Sequence, residues 1–345
     1  MTLSIPAPRV IPVDSVPQLR WGIVGTGIAA SFVAALHGHT TQHATAVTAR
    51  DVEKTRAFAV KHEIAVVHES IEALVEDPTV DVVYVATPHP LHHDVALAAI
   101  AAGKHVLVEK PIAMSAAEAS EITEAGRAAG VLVMEAMWTR YLPQSDVIRQ
   151  LLEDGAIGTV NIVDANFGFP APFDPMSRMW SKELGGGALL DAGVYPISFA
   201  SSILGSPTSV TAKGTVTETG VDGTASLLLT AQSGATALLT TSMLTSVPTT
   251  AVVMGTKGYI EIPSPFFGPT GVVLHRGALG RYEVTEWRDD SLPGFQDGLS
   301  HQATAFASYV GDGRLESPLH GHAETVAVMA TIDEARRQIR EMATR

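Results

Sequence analysis

Short apolar runs alternate with amphipathic stretches through residues 19–135. The apolar runs have the length of strands, and the stretches between them repeat apolar residues at helical spacing. The run VDVVYVA is apolar throughout, which is typical of a strand buried on both faces. This alternation predicts a parallel sheet with helices on both faces. The predicted strands are LRWGIVG, HATAVTAR, VDVVYVAT, KHVLVEK and VLVMEA.

Helix start signals support this assignment. Ser70 is a candidate cap at the start of the short helical run SIEALVED, which Pro78 ends. Ser115 is followed three residues later by Glu118, the pattern of a capping box. These signals predict helices between the strands.

The pattern changes after about Arg140. A helix (PQSDVIRQLLEDGAIG), a strand (VNIVDANFGF) and a glycine-led helical stretch (GGALLDAGVYPISFASSILG) come first. From Thr208 to Trp287 short β-like runs follow one another, separated by turn pairs such as Asp222-Gly223. Two helical stretches close the chain. Neighbouring strands at this spacing predict a large, mostly antiparallel sheet in an α+β domain.

Composition narrows the function classes. A chain of 345 residues with 46% apolar residues suits two domains. The formal net charge of -13 and the lack of a Lys/Arg run make nucleic acid and anionic membranes poor partners. The absence of cysteine excludes disulfides, thiolate metal sites and a cysteine nucleophile. The proline-broken start MTLSIPAPRVIPVDSVPQ does not resemble a signal peptide, so we expect a cytoplasmic protein without a membrane span.

A glycine turn joins the first predicted strand to the first helix. Gly25-Thr26-Gly27-Ile28-Ala29-Ala30 has the form G-x-G-x-x-A. In this context Gly25 permits a tight turn, Gly27 lets the backbone approach a pyrophosphate, and helix amides hold the phosphates. The alternative is a tight turn without a ligand. We predict a doubly wound Rossmann domain over 19–138, after an extended arm (1–18) and before a substrate-binding and oligomerisation domain (139–345).

The end of the second strand bears on the cofactor. It reads Thr48-Ala49-Arg50-Asp51, and Arg50 lies 23 positions after Gly27. An acid near this position binds the ribose 2′-hydroxyl of NAD, whereas an arginine accommodates the 2′-phosphate of NADP. Arg50 favours NADP. NAD stays open, with Asp51 on the ribose or capping the next helix.

Two further stretches carry candidate chemistry. Lys110 ends the strand in VLVEKP, at the edge of the sheet where ligands bind, although a lysine there can also reach solvent. In GGGALLDAGVYP, Asp191 and Tyr195 are four residues apart and would share a helix face. A nearby ammonium would lower the pKa of a tyrosine, which could then exchange a proton with a hydroxyl. The alternative is a capping aspartate and a half-buried core tyrosine.

The combination of these motifs resembles the glucose–fructose oxidoreductase / inositol dehydrogenase (Gfo/Idh/MocA) family. The resemblance covers about residues 19–343 and is nearest to the dimeric dihydrodiol dehydrogenases and NADP-dependent D-xylose dehydrogenases. The residues that carry it are VTARD, DVVYVATPHPLHHDVALAAIAAGKHVLVEKP, MEAMWTRYLP, GGGALLDAGVYPI and the tail ESP…TIDEARRQI. Ala30 at the third turn position and Gln302, where relatives often have Glu, depart from the pattern.

The resemblance implies roles for individual residues. Lys110 matches the lysine that assists proton transfer, Tyr195 the acid/base, and Asp191 the carboxylate that holds substrate or orients the pair. Arg50 matches the 2′-phosphate contact. The remaining residues expected to line the cofactor, beside Gly25, Gly27, Ile28, Ala29 and Lys110, are Thr87, His89, His92, Glu109, Trp138 and Arg140.

These observations lead to one main hypothesis and two alternatives. The main one is transfer of hydride between NADP(H) and a CH–OH or C=O group of a sugar, polyol or cyclic diol. The alternatives are an NAD-dependent inositol or keto-sugar oxidoreductase and a non-catalytic dinucleotide-binding sensor. We expect no metal site, since His89, His92 and His93 open a helix without further converging ligands. Relatives suggest a homodimer or homotetramer formed through the C-terminal sheet.

Overall fold

A computed structural model describes residues 4–343, and the chain packs as two compact units. The first, which we call the nucleotide unit, comprises Ile11–Tyr141 and Leu292–Val326. The second unit comprises the arm up to Val10, then Leu142–Ser291, and the chain from Ala327 onward. The segment 292–326 therefore packs with the N-terminal sheet. The domain boundaries at 18/19 and 138/139 stay a prediction.

The nucleotide unit contains a six-stranded parallel sheet in the order β3-β2-β1-β4-β5-β6. This order reverses direction between β1 and β4, which makes the crevice where doubly wound sheets bind ligands. The predicted parallel sheet is confirmed, and only the two-residue strand β3 was not predicted. The strands are β1 (Arg20–Val24), β2 (His43–Thr48), β3 (Val66–Val67), β4 (Val82–Val85), β5 (His105–Glu109) and β6 (Val133–Ala136).

The second unit contains an eight-stranded sheet in the order β14-β13-β12-β11-β7-β10-β9-β8. Only the β7–β10 pair is parallel, so the predicted mostly antiparallel sheet is confirmed. The strands are β7 (Val160–Gly168), β8 (Pro207–Val216), β9 (Asp222–Ala231), β10 (Thr236–Ser242), β11 (Ala251–Gly255), β12 (Gly258–Ile262), β13 (Gly271–Ala278) and β14 (Arg281–Arg288).

Helices cover these sheets, and their starts follow the predicted capping chemistry. The hydroxyls of Ser70 and Ser115 accept the backbone N–H groups of Ala73 and Glu118, at 3.1 and 3.3 Å. The helices are α1 (Ala29–His39), α2 (Val52–Lys61), α3 (Ile71–Val75), α4 (His92–Ala101), α5 (Ala116–Ala129), α6 (Pro143–Glu153), α7 (Val194–Leu204), α8 (Leu299–Gly311) and α9 (His322–Ala343).

One stretch is long and apolar enough to cross a membrane by composition alone. It runs from Lys182 to Leu204, and 78% of its most apolar window is buried inside the structure. The core helix of a folded unit satisfies the same criterion. The sequence predicts a helical stretch after the glycines. The structure divides this stretch into a π-helical turn, Leu189–Gly193, and the helix α7 that follows it.

A buried cluster of aromatic rings explains why residues 292–326 belong to the nucleotide unit. The Phe306 ring from α8 lies 5.2 Å from the ring of Trp21 on β1. Trp21 in turn contacts Phe32 of α1 at 5.5 Å, and Phe32 stacks on Tyr84 of β4 at 4.0 Å. All four side chains are fully buried. Residues 292–326 thus contribute a fully buried ring to the core of the N-terminal sheet.

Replacement of Phe306 tests this packing. We expect Phe306→Ala to lower the free energy of unfolding by about 3–5 kcal/mol, because it leaves a cavity against Trp21. Urea denaturation followed by circular dichroism measures the loss. Leu279→Ala is the control, since Leu279 is 92% exposed and its loss should cost less than about 0.5 kcal/mol. Equal midpoints for both variants would contradict the assignment.

Candidate active site

The candidate residues of the nucleotide unit share one edge of its sheet. Gly25, Arg50, Thr87, Lys110 and Trp138 each follow the carboxyl end of a parallel strand. The strands are β1, β2, β4, β5 and β6, which are neighbours in the sheet. Ligands of open α/β sheets bind in the crevice outside these ends. The fold thus brings these residues to the edge where a dinucleotide would lie.

The two glycines of the G-x-G-x-x-A turn differ in their surroundings, and each position requires glycine for a different physical reason. Gly25 has a φ of +103°, and a Cβ there would lie 2.3 Å from the Ala86 carbonyl oxygen. The fold therefore excludes any residue with a side chain at this position. At Gly27 a Cβ would meet nothing within 4 Å. Gly27 leaves open space at the start of α1, where the backbone of a dinucleotide-binding turn approaches phosphate.

The surroundings of the turn fit a pyrophosphate-bearing cofactor. Helix α1 has no side-chain cap, and Ile28 before it is 51% exposed, so its first turn is open to an anion. The Thr87 hydroxyl is buried and has no hydrogen-bond partner among residues 4–343. A ribose or amide group of a cofactor could supply that partner.

Arg50 and Asp51 lie just beyond β2 and differ in what they contact. The Asp51 carboxylate caps α2 by accepting the Lys54 N–H at 3.1 Å, and it lies 3.2 Å from the Lys54 ammonium. These bonds to Lys54 lower the pKa of Asp51. Arg50 is exposed. Asp51 therefore has the capping role that the sequence left open for it.

The strand end at Lys110 continues through a cis peptide bond between Lys110 and Pro111. The preceding Glu109 is 8% exposed and turns its carboxylate back into the unit, where it accepts the Tyr84 hydroxyl and the Lys110 N–H (the latter at 3.1 Å). Burial raises the pKa of Glu109. Glu109 supports the backbone at Lys110, and its contact with the cofactor stays a prediction.

His92 links the chain segments that follow β4 and β5. Its ring nitrogens lie 2.9 Å from the carbonyl oxygens of Thr87 and Pro111. Burial lowers the pKa of His92, and a neutral imidazole donates to only one of the two carbonyls. His89 lies beside it, with ring centroids 5.6 Å apart. His92 therefore lies between the segments that follow β4 and β5 and links them through their backbone.

Trp138 and Arg140 belong to a short 3₁₀ segment, Trp138–Tyr141, after β6. The Trp138 ring is 5% exposed and meets the Phe295 ring edge-on at 5.4 Å. Arg140 is 6% exposed and forms an ion pair with Glu324. Both residues are anchored by the segment 292–326, whose packing here was not predicted.

Asp191 and Tyr195 belong to the second unit. Asp191 lies in the π-helical turn Leu189–Gly193, and Tyr195 lies in the first turn of α7. Both residues are largely buried, at 7% and 8% exposure. The Tyr195 ring packs against Phe267 at 4.8 Å and Phe167 at 5.8 Å. A π-helical turn within a helix is frequent at functional sites and changes the predicted i,i+4 register.

The glycine run before this turn admits two close approaches. A Cβ at Gly186 would lie 2.5 Å from the Met179 carbonyl oxygen. Gly187 has a φ of +119°, and a Cβ there would lie 2.5 Å from an Asp222 carboxylate oxygen. That carboxylate also accepts the Leu189 N–H at 2.6 Å and so caps the π-helical turn. The glycines are thus required by the close approach of Met179 and Asp222 just before the turn that carries Asp191.

Sequence reasoning missed two residues that hold this turn. Arg178, which is half exposed, forms an ion pair with Asp191. Asp222 was interpreted only as part of an Asp-Gly turn signal, although it is buried and its pKa is raised by that burial. A lone arginine in an irregular loop and a turn aspartate carry no pattern that marks their distant partners. Only the fold could identify them.

The described residues 4–343 contain no group of three or more His, Cys, Asp or Glu arranged to hold a metal ion. His93, one of the three histidines considered for such a site, contacts Asp94 and Glu121 at 2.9 and 2.8 Å. His92 is held by backbone carbonyls, as described above.

Comparison with known proteins gives consistent matches to both parts of the chain. A family model described as an oxidoreductase family with an NAD-binding Rossmann fold matches residues 19–137. A model of the GFO/IDH/MocA C-terminal domain matches residues 146–261.

Individual relatives match over nearly the whole chain. A trans-1,2-dihydrobenzene-1,2-diol dehydrogenase from Xenopus laevis is 38% identical over 93% of this chain and 98% of its own length. A 3-ketoreductase from Actinomadura kijaniata, solved with NADP and TDP-benzene, is 28% identical, with a TM-score of 0.81 over 94% of this chain and 98% of that structure. An aldose-aldose oxidoreductase from Caulobacter crescentus, solved with glycerol, is 26% identical, with a TM-score of 0.83 and the same two coverages.

The two glycines of the turn give a matched pair of variants. Gly25→Ala should lower the free energy of unfolding by about 2–5 kcal/mol, because it adds a positive-φ penalty to a backbone clash. Gly27→Ala should leave stability within about 0.5 kcal/mol of wild type, since its methyl group meets open space, but should weaken NADPH binding by at least about tenfold. Thermal unfolding and NADPH fluorescence titration measure these effects. Unchanged NADPH affinity in Gly27→Ala would contradict a phosphate site at the turn.

Proposed function

The chain belongs to the GFO/IDH/MocA oxidoreductase family, and on that premise we propose that it transfers hydride between NADP(H) and a CH–OH or C=O group of a sugar, polyol or cyclic diol. The family resemblance stated from its motifs is confirmed. Membership makes the chain an NAD(P)-dependent oxidoreductase that acts on a small molecule. The alternative of a non-catalytic sensor is set aside, since relatives across 93% of the chain are dehydrogenases.

The observation that carries this proposal is the edge of the parallel sheet. It combines the open glycine turn, the exposed Arg50 and the strand-end Lys110. Among the relatives, the 3-ketoreductase was solved with NADP, which supports the same class of cofactor here. The dehydrogenase named for a cyclic diol and the oxidoreductase named for aldoses support a hydroxylated substrate.

We assign the choice of NADP over NAD to Arg50. Its guanidinium is exposed beside the end of β2, where the 2′ group of the adenosine ribose lies in doubly wound folds. Asp51 is committed to the cap of α2 and to Lys54. A carboxylate engaged in this way is a poor acceptor for a ribose hydroxyl, so the NAD-dependent alternative ranks second.

Arg50→Ala tests the cofactor assignment. We expect the variant to weaken NADPH binding by about 10–100-fold, the cost of a lost charge-assisted hydrogen bond, and to leave NADH binding unchanged. Fluorescence titration with each cofactor measures the change. Arg56→Ala is the control, because Arg56 is an exposed arginine on α2 paired with Glu53 at 2.6 Å. Tighter binding of NADH than NADPH by the wild type would favour the alternative.

Our proposal assigns the proton and the hydride to different groups. The nicotinamide of the bound cofactor accepts or supplies the hydride. Tyr195 takes the proton of the substrate hydroxyl, or returns it to the oxygen in the reverse direction. To Lys110 we assign the assistance of proton transfer that the matching lysine has in the family. Asp191, held by Arg178 and by its capped turn, positions substrate hydroxyls.

Tyr195→Phe removes the proposed acid/base and keeps the ring that packs on Phe167 and Phe267. We expect kcat to fall by about 10²–10⁴-fold, the usual contribution of a positioned acid/base, and NADPH affinity to stay unchanged. Steady-state kinetics on a panel of aldoses, inositols and cyclic diols measures the loss. Tyr282→Phe, at a 37% exposed position on β14, is the control. Near-normal turnover by Tyr195→Phe would reject this role.

We also propose that the outer face of the eight-stranded sheet joins copies of the chain into a homodimer or homotetramer. The inward positions of β7, β9 and β10 are buried, yet three apolar side chains point outward and are exposed. They are Ile162, Leu228 and Leu238, at 37%, 42% and 47% exposure. Leu228 and Leu238 are direct partners across β9 and β10. On the same face Ile162 lies opposite Thr236 and Leu238 lies opposite Asp164, so the apolar positions alternate with polar ones. Exposed leucines that pair across two strands suit an interaction surface. A cytoplasmic location stays a prediction.

Light scattering tests the assembly. We expect a mass of two or four chains for the wild type and of one chain for Leu228→Lys/Leu238→Lys, because lysine ammonium groups resist burial at an interface. Leu279→Lys, on the exposed turn between β13 and β14, is the control and should keep the wild-type mass. A wild type of single-chain mass would contradict this proposal and leave the catalytic one untouched.

A further inference from the structure

Four charged side chains meet in the interior of the nucleotide unit. Glu135 ends β6, Arg140 lies in the 3₁₀ segment after it, His320 lies between α8 and α9, and Glu324 lies in the first turn of α9. The side chains of Glu135 and His320 are 1% and 0% exposed, those of Arg140 and Glu324 7% and 24%. We call these four residues the buried ion cluster. None but Arg140 belongs to the site described above.

The contacts of His320 organise the cluster. Its Nε2 lies 2.7 Å from Glu135 Oε2, and its Nδ1 lies 3.5 Å from Glu324 Oε2. Arg140 forms an ion pair with the other Glu324 oxygen. Burial lowers the pKa of His320, but hydrogen bonds to Glu135 and Glu324 outweigh it and raise that pKa overall. His320 and Arg140 in turn overcome the effect of burial on Glu324 and lower its pKa to about 2.

Charge balance within the cluster favours the protonated form of His320. With His320 protonated, two cations face two carboxylates and the cluster is neutral. A neutral ring would leave one uncompensated negative charge in the interior, which is costly. An imidazolium also donates from both ring nitrogens, toward Glu135 from Nε2 and toward Glu324 from Nδ1. The Arg140 guanidinium lies 3.4 Å from Nδ1 and lowers the pKa of His320, but the two carboxylates outweigh it.

The cluster is connected to both candidate segments of the sheet edge. The second oxygen of Glu135 accepts the Ile112 N–H at 2.9 Å, two residues beyond Lys110. Arg140 is itself a candidate for the cofactor and substrate crevice. Ser317 links the turn that carries His320 to the 3₁₀ segment that carries Arg140. Its Oγ accepts the Tyr141 hydroxyl at 2.8 Å and the His320 N–H at 3.2 Å.

We propose that His320, together with Glu135 and Glu324, is a positioning residue that fixes the Lys110–Ile112 segment and the Arg140 side chain relative to each other. The inference rests on the proposed function, because it assigns importance to the place of Lys110 and Arg140. His320 touches neither substrate nor cofactor. Removal of its charge leaves Glu135 and Glu324 to share a single guanidinium, so Glu135 shifts and Ile112 loses its fixed acceptor. Small displacements of this kind at a reacting centre cost about 100-fold in rate.

The first test uses His320→Gln in the full-length protein, with His322→Gln as the matched control. His322 is a second buried histidine in the same segment, but its Nε2 bonds the Val133 carbonyl at 2.9 Å. We expect kcat to fall by about 100-fold in His320→Gln, with an altered pH profile, and by less than about threefold in His322→Gln at a similar loss of thermal stability. Equal kinetic losses in the two variants would overturn the inference.

A charge-balanced double variant separates positioning from general damage. Glu135→Gln/His320→Gln keeps an amide oxygen for the Ile112 N–H and restores neutrality, because Arg140 and Glu324 remain as a pair. We expect it to recover at least about tenfold of the activity that His320→Gln loses, a strong coupling of neighbouring sites. Further loss in the double variant would overturn the inference. If His320→Gln does not fold, Glu135→Gln alone is compared with the double variant, which should be the more active.

Hydrogen exchange gives a readout that needs no substrate. We expect faster exchange at the Ile112 amide in His320→Gln than in wild type or His322→Gln, with unchanged exchange in β1. Absence of turnover by the wild type on every polyol would reject the proposed function, and the exchange result would still test the positioning role. Unchanged exchange at Ile112 would overturn that role even in an active enzyme.

Discussion

Parallel strands that are covered by helices on both faces leave only the ends of the sheet for polar chemistry. In the nucleotide unit β4 is buried along its whole length, and β5 is buried at every residue after His105. The side chains able to meet a ligand must therefore follow the strands, and Gly25, Thr87 and Lys110 do so. Other residues of the unit support this edge. His92 lies against the carbonyl groups of the segments after β4 and β5, and Glu109 supports the backbone of the second of these at Lys110.

Close approach of backbone to neighbouring groups shapes the candidate residues of both units. At Gly25 the neighbour is the Ala86 carbonyl, at Gly186 it is the Met179 carbonyl, and at Gly187 it is the Asp222 carboxylate. In the second unit these approaches have a chemical consequence. They permit Asp222 to cap the π-helical turn that carries Asp191, and Tyr195 follows directly in α7. Glycine at Gly186 and Gly187 therefore helps to determine where Asp191, the candidate for positioning substrate, and Tyr195, the candidate acid/base, lie.

Buried charge plays a different part from buried apolar surface in the nucleotide unit. Burial of four aromatic rings stabilises the unit; they belong to Trp21, Phe32, Tyr84 and Phe306. Buried ion pairs, by contrast, are seldom more stabilising than apolar side chains of equal size. The buried ion cluster is directional instead. Each of its bonds specifies one atom of one partner, which suits it to hold Arg140 and the chain beyond Lys110 in place.

The sequence by itself determined the two fold classes, nearly all of the strands and helices, the capping serines and the glycine turn. These features depend on residues a few positions apart, whose periodicity and turn chemistry are visible in a contiguous stretch. The π-helical turn at Leu189–Gly193, the packing of residues 292–326 with the N-terminal sheet, and the roles of Arg178 and His320 depend on the tertiary structure. Their partners lie far away in the chain: His320 meets a carboxylate 185 positions before it. Periodicity contains no information about such pairs, because burial, charge balance and close approach arise only when distant segments pack together.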